Sequence, residues 1–270
     1  IAFKALHAQG LHPLWSTAIV YAGALVGLLV WRPNSVRGLI AHPHLLALAA
    51  AAGLTNVGFN WAVTLGDVVR VTLLFYLMPL WSIGLAWWLL RERPTGAALG
   101  RLALAFTGLV LVLQRPDMAW PWPSGAADWL ALMGGFCFAL TNALLRRWRD
   151  TPQEARVLAM FGGGLAMGGG LALMGLAGVA PAALSPAAWA WALGLTLAFL
   201  SGNLALQYGA ARLPAQVTAL IMLAEVVFAT GSAVLLGAAD PTPRTWAGGA
   251  LIVLAALLSI RPVRRPRGPG

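Results

Sequence analysis

The stretch VVRVTLLFYLMPLWSIGLAWWLL, residues 68–90, carries one charged side chain, Arg70, close to its start. As a helix rising 1.5 Å per residue it is long enough to cross the ~30 Å hydrocarbon layer of a bilayer. It has no polar stripe, so no orientation of the helix would turn a wet face to water. The run stops at Arg91-Glu92-Arg93-Pro94, where charge and an imino ring end an apolar helix. Lipid is the solvent this segment requires.

Outward from it the same texture recurs. Apolar runs punctuated by Pro, Gly and Arg predict spans over about 13–31 (opened by His12-Pro13), 43–65, 95–113, 128–148, 155–178, 187–209, 214–237 and 243–260. The chain opens on Ile1-Ala-Phe-Lys4-Ala-Leu-His7, which lacks the basic start of a secretory signal and is too short to span. It reads as the tail of a first helix. The predicted fold is an all-α membrane protein of ten transmembrane helices in two inverted five-helix repeats, the first helix incomplete in this chain. Residues 1–113 form the first repeat, 114–127 a periplasmic linker with Trp120-Pro-Trp122-Pro at the interface, 128–260 the second repeat, and 261–270 a basic cytoplasmic tail. Composition agrees: 60% of residues are hydrophobic and 10% charged, where a soluble domain is about a quarter charged. Mean hydropathy is +0.78.

The net charge of +10 comes from arginines, since Lys4 is the one lysine. With the N-terminus in the cytoplasm, fourteen arginines fall on cytoplasmic segments: 32, 37, 91, 93, 101, 146, 147, 149, 156, 212, 261, 264, 265 and 267. Three fall outside: Arg70, Arg115 and Arg244. That asymmetry is the positive-inside signature of an inner-membrane protein with both ends cytoplasmic. It accounts for the basic charge without nucleic acid. The single Cys137 excludes an internal disulfide and a cysteine metal site. His7, His12, His42 and His44 sit near helix ends, so no buried metal centre and no cofactor are expected.

An offset of 147 residues pairs Asn56 with Asn203, Pro94-Thr95 with Pro241-Thr242, and Trp61–Gly66 with Tyr208–Leu213. Five spans is an odd number, so the second copy must insert upside down relative to the first. Inverted repeats with a site between them at the midplane are the architecture of secondary transporters.

The residues also carry a resemblance. Asn60-Trp-Ala-Val-Thr-Leu-Gly-Asp-Val-Val-Arg70, Leu77-Met-Pro79-Leu and Trp88-Leu-Leu-Arg-Glu92-Arg93 resemble the first EamA-type repeat of the drug/metabolite transporter superfamily. Leu223-Ala-Glu225-Val-Val-Phe228 is similar to the second, with Val226 where the family usually has Pro. The Trp-rich, ten-span form looks most like the YddG-type aromatic amino acid exporters. The resemblance implies a lysine in the first helix at Lys4. It also implies a central cavity lined by helices that bear Phe59, Trp61, Tyr76, Trp81, Tyr208 and Phe228.

Glu225 sits near the middle of its predicted span, where a carboxylate costs at least ~2.5 kcal/mol on insertion scales. It is a proton-coupling group or a ligand for a substrate ammonium; the plainer alternative is a neutral acid bonded to a neighbouring helix. Lys4 either snorkels to the interface or meets a substrate carboxylate or Glu225. Asn56 and Asn203 either bond across the repeat interface or line the path, and Gln207, Asn142, Thr72 and Thr218 read the same way. Pro79 kinks its span and is the candidate gating hinge. Gly162–Gly170 has small-xxx-small spacing, which close helix packing explains. Asp67 and Arg70 suggest a solvated salt bridge at the outer mouth.

The expected function is therefore non-enzymatic: export of a small metabolite by alternating access. The favoured substrates are amino acids, aromatic or apolar ones first, with protons as the coupling ion. Drugs or lipophilic cations held by Glu225 are the alternative. A passive channel or an intramembrane enzyme ranks lower, because the chain lacks His-Glu-x-x-His, paired intramembrane aspartates and a Gly-x-Ser nucleophile.

Overall fold

The computed structural model describes residues 6, 11–113, 123–178, 185–235 and 242–260. These are helical throughout, with no strand among them. The elements are α1 (Pro13–Trp31), α2 (Ser35–Ala41), α3 (Leu45–Leu65), α4 (Val68–Phe75), α5 (Met78–Leu90), α6 (Gly96–Leu113), α7 (Ala126–Arg147), α8 (Gln153–Leu171), α9 (Pro186–Arg212), α10 (Ala215–Leu235) and α11 (Pro243–Ile260). Among the described residues, six stretches are long and apolar enough to cross a membrane: Leu14–Trp31, Leu45–Val63, Val68–Leu90, Ala126–Arg147, Gln153–Leu176 and Pro186–Arg212. Gly96–Val112, Val217–Phe228 and Pro243–Ser259 are shorter apolar helices. The predicted first span, with Lys4, lies outside the described residues apart from Leu6, as do most of the Trp-Pro linker and the arginine tail.

Local chemistry sets several of the boundaries. His12 caps α1 by accepting the Leu14 N–H on Nδ1 at 3.2 Å, with Pro13 in the first turn. Ser185 caps α9 in the same way from the Ala188 N–H at 3.1 Å. Arg91 closes α5 in the left-handed region, φ 55°. The 147-residue offset reappears in the backbone: α3, α4 and α6 end or begin at Leu65, Val68 and Gly96, and α9, α10 and α11 do so at Arg212, Ala215 and Pro243.

Three boundaries depart from expectation. The connection before α3 contains a short helix, α2, whose Gly38 lies against Ala155. The 155–178 span starts at Gln153 and ends in a π-helical turn, Ala172–Leu176, closed by Gly175 at φ 88°. The 68–90 span breaks rather than bends: α4 stops at Phe75 and α5 restarts at Met78, with Pro79 in its first turn. Pro79 has no N–H to give the carbonyl four residues back, that of Phe75. That carbonyl packs where Gly135 of α7 comes so close that a Cβ would overlap it. In the second copy Val226 occupies the Pro79 position, and α10 runs through it unbroken.

The Asp67–Arg70 pair also resolves differently. Asp67 caps α4 by accepting the Arg70 backbone N–H at 2.9 Å. The Arg70 guanidinium reaches across to Asp128 at the start of α7, with Nε–Oδ1 2.9 Å and Nη2–Oδ2 2.8 Å. Bidentate geometry and a largely buried Asp128 make this a clamp between the copies rather than a solvated pair.

The halves interlock. α3 of the first copy packs along α7 and α8 of the second, and α6 packs on α11. Glycines make both contacts. A Cβ on Gly53 would come 2.6 Å from the Gly163 carbonyl oxygen, and one on Gly58 2.8 Å from that of Leu130. Gly108 and Gly248 meet reciprocally. The small-residue stripe on α8 is thus a packing surface: Gly163 lies on Ala49 and Gly164 on the Tyr21 ring. Apolar clusters fill in around these crossings, one joining Leu73, Met78, Leu109, Leu223 and Ile252, another Leu45, Leu48, Leu145 and Ala155.

Replacing Gly163 by Ala should destabilise the protein by about 1–3 kcal/mol, because the new methyl meets backbone that cannot yield. Gly84→Ala, with nothing within 4 Å of the added methyl, should be neutral or slightly stabilising. Thermal unfolding in detergent compares the two, and equal melting temperatures would remove the close-contact role from Gly163.

Candidate functional site

Where α9 and α10 diverge from the α3–α7–α8 packing, they leave a cavity of about 630 Å³. Its wall draws on both copies: Tyr21 of α1, Ala52, Thr55 and Asn56 of α3, Phe138 and Thr141 of α7, Met160 of α8, Phe199 and Asn203 of α9, and Thr218, Met222 and Glu225 of α10. The volume is in the range of pockets that enclose small organic ligands.

Its polar groups are held at fixed places. The Tyr21 hydroxyl donates to Asn56 Oδ1 at 2.6 Å, and Asn56 Nδ2 donates to the Ala52 carbonyl at 2.8 Å. Across the cavity, Asn203 Oδ1 accepts from Gln207 Nε2 at 2.8 Å. Asn203 Nδ2 faces only a sulfur, Met160 Sδ, at 3.8 Å. Sulfur is a weak acceptor, so this amide keeps donor capacity for something better. Thr55 and Thr141 return their hydroxyl protons to Ala51 and Cys137 at 2.8 and 2.9 Å, so their side chains present a smooth wall. Glu225 is the one carboxylate on the wall, and no Lys, Arg or His joins it among the described residues. The aromatic wall is Tyr21, edge-on to Phe161 at 5.1 Å and tilted on Phe199 at 5.8 Å, together with Phe138.

The sequence candidates thus separate. Asn56, Asn203 and Glu225 come together at the cavity, and Gln207, fully buried, stands behind Asn203. Phe59 packs on Phe75 at 4.9 Å, away from the cavity. Tyr76 and Pro79 line a smaller apolar pocket of about 270 Å³ against α6. Tyr208 is exposed under the Arg212 guanidinium, 3.6 Å from its ring, and Phe228, 78% exposed and one turn beyond Glu225 on α10, is not among the lining residues. Thr218 is on the wall, while Asn142 is buried behind it, donating to the Phe138 carbonyl at 3.1 Å. Lys4 lies outside the described residues. Tyr21, Phe138, Met160 and Phe199 were not singled out in the sequence. Tyr21 left a signal there: it is the one tyrosine of its span and stands near the middle of it.

The model of the EamA-like transporter family matches the chain over residues 1–114 and again over 125–261. No curated protein matches significantly. Among solved structures, one described only as "Crystal structure of protein" is similar, with a TM-score of 0.74 and 20% identity over 96% of this chain and 91% of that one. At that identity the likeness speaks for the fold.

In a Cys137→Ser background, Asn203→Cys and Met222→Cys should react readily with a hydrophilic maleimide in detergent, since both positions face the cavity. Leu74→Cys, 2% exposed in the core, should stay unlabelled. Equal labelling of all three by mass spectrometry would contradict an accessible cavity bounded by α9 and α10.

Proposed function

The chain belongs to the EamA-like transporter family, membrane transporters of small solutes, and from that premise we propose that it exports amino acids, aromatic or apolar ones first, by alternating access. The observation that carries the reading is the meeting of Asn56, Asn203 and Glu225, from both copies, at one cavity with aromatic walls. An amino acid brings an ammonium, a carboxylate and a side chain into a low-dielectric space, and each needs a partner there. Glu225 suits the ammonium. The under-used Asn203 Nδ2 suits a carboxylate oxygen. Tyr21, Phe138 and Phe199 suit a planar side chain.

We place the protein in a bacterial inner membrane with both termini cytoplasmic. The support is the arginine asymmetry, together with contacts that gather basic helix ends at one end of the bundle. Arg146 donates to the Ala211 carbonyl at 2.9 Å and Arg147 to that of Leu89 at 2.9 Å, joining the C-terminal ends of α7, α9 and α5. Inverted halves around a shared cavity suit exchange of access from one side to the other. Proton coupling belongs to the same reading, with Glu225 as the group that is loaded and unloaded.

A second reading has its own observation. Glu225 is unaccompanied by a basic side chain on the described wall, which suits an organic cation as well as an ammonium.

Flux in proteoliposomes separates the two. Amino acids with large apolar side chains should move faster than lipophilic cations, and an imposed pH gradient should accelerate them. Glu225→Gln should cut the rate about tenfold or more, the worth of a charge-assisted hydrogen bond, with folding intact. Full-rate export by that variant at every pH would remove Glu225 from coupling. Transport confined to cations would replace the amino acid reading.

A further inference from the structure

A second polar cavity, of about 430 Å³, lies at the end of the bundle where the basic helix ends gather. Arg146, Arg149, Asp150, Gln153, Arg156, Ala211 and Arg212 line it, so four guanidinium groups share one small space with one carboxylate. Three acids lie nearby: Glu154, in the first turn of α8, and Asp150 both attract Arg156, and Glu92 faces Arg146. Glu92 Oε1 stands 3.8 Å from Arg146 Nε, and Asp150, itself nearly fully exposed, is 3.8 Å from Arg149 Nε. Charges of one sign held this close repel, and the cost is sharpest where water is scarce.

Arg149, Asp150 and Arg212 are exposed, but Arg156 is not. The residue is 5% exposed. Its Nη1 donates to the Trp148 carbonyl at 3.1 Å, and its Nε is buried with no hydrogen-bond partner. A charged donor left unsatisfied costs far more than an ordinary lost hydrogen bond. The positive-inside bias accounts for arginines in water at the membrane surface. It does not account for a buried one whose side chain lines a cavity beside three others. Gln153 adds a neutral polar side chain to the lining, while Glu154, beside it in the first turn of α8, is not among the lining residues.

We propose that this cavity is a binding site for a phosphate-type oxyanion. A phosphate offers several acceptor oxygens and negative charge to guanidinium groups that present forked donors. The same chemistry has two sources here, the headgroup of an anionic phospholipid or a free phosphate ion. The site is separate from the Glu225 cavity and does not depend on what that cavity carries.

The test is thermal unfolding of the full chain in a maltoside detergent, titrated with two probes. One is sodium phosphate, against sodium chloride at equal ionic strength. The other is dihexanoyl phosphatidylglycerol, against uncharged octyl glucoside. The melting temperature should rise saturably with at least one probe and with neither control. A rise with phosphatidylglycerol alone identifies a lipid site, a rise with phosphate alone a free-anion site, and a rise with both the shared chemistry. Arg149→Gln combined with Arg212→Gln removes two exposed members and leaves buried Arg156 in place. It should raise the half-saturating concentration about tenfold or more. Arg156→Gln should abolish the shift if it folds; the double variant carries the test if it does not. No rise beyond the controls, or an unchanged midpoint in the double variant, overturns the proposal.

Discussion

The approach of α3 to α7 and α8, backbone against backbone, is the contact from which the rest of the molecule is arranged. In lipid no hydrophobic effect pushes helices together, because acyl chains are as apolar as leucine. What remains is dispersion, summed over many close atom pairs, and it grows as the axes approach. Gly53, Gly58, Gly134 and Gly163 permit that approach on α3, α7 and α8, and Gly108 with Gly248 repeats it between α6 and α11. α3 comes from one copy and α7 and α8 from the other, so the glycine crossings weld the copies. The cavity lies beside this weld, where α9 and α10 do not close on it: Gly202 and Gly209 of α9 have open space where a Cβ would stand. The Arg70–Asp128 clamp adds a polar tie between the copies at the opposite end from the gathered arginines.

The same lack of water disciplines the polar groups. Thr55, Thr107, Thr141, Ser82 and Ser259 each return a hydroxyl proton to the carbonyl four residues back on the same helix. They make no demand on neighbours and leave the lipid or cavity wall effectively apolar. Asn56 is absorbed by Tyr21 and Ala52. The unspent capacity on the described wall narrows to the Asn203 amide and the Glu225 carboxylate. Selectivity in such a cavity rests on few groups because most others have been neutralised locally.

The fold was legible because its causes are local. Apolar length, His12-Pro13 and Arg91–Pro94 mark helix ends through covalent geometry and capping, and the structure keeps them within a few residues. The site was legible only in its polar part. Asn56, Asn203 and Glu225 stand out because polar atoms are costly in lipid, and cost can be read from one residue at a time. Which aromatic faces inward is a property of helix rotation, set by partners distant in sequence. Tyr208 and Phe228, on predicted cavity helices, are not among the lining residues, while Tyr21 turns inward because Gly164 gives its ring room and Asn56 accepts its hydrogen bond. The pairing of Arg70 with Asp128 is hidden for the same reason, since the two are 58 positions apart.

The two copies differ most where the chemistry is. The 147-residue offset places Glu225 on Met78 and Val226 on Pro79. Met78 is 1% exposed in the core, and Pro79 breaks the helix there. The break is tolerable because the Phe75 carbonyl it strands is covered by α7 at Gly135. The residue equivalent to Phe75 in the second copy is Met222, which lines the cavity. A proline after Glu225 would strand the Met222 carbonyl on that wall, where no glycine crossing covers it. With Val226 in its place, α10 keeps its backbone ladder through Met222, and the wall presents side-chain chemistry alone. In this chain the acid and the unbroken helix fall in the same copy: the copy that carries the charge is the one whose backbone makes no polar demand of its own.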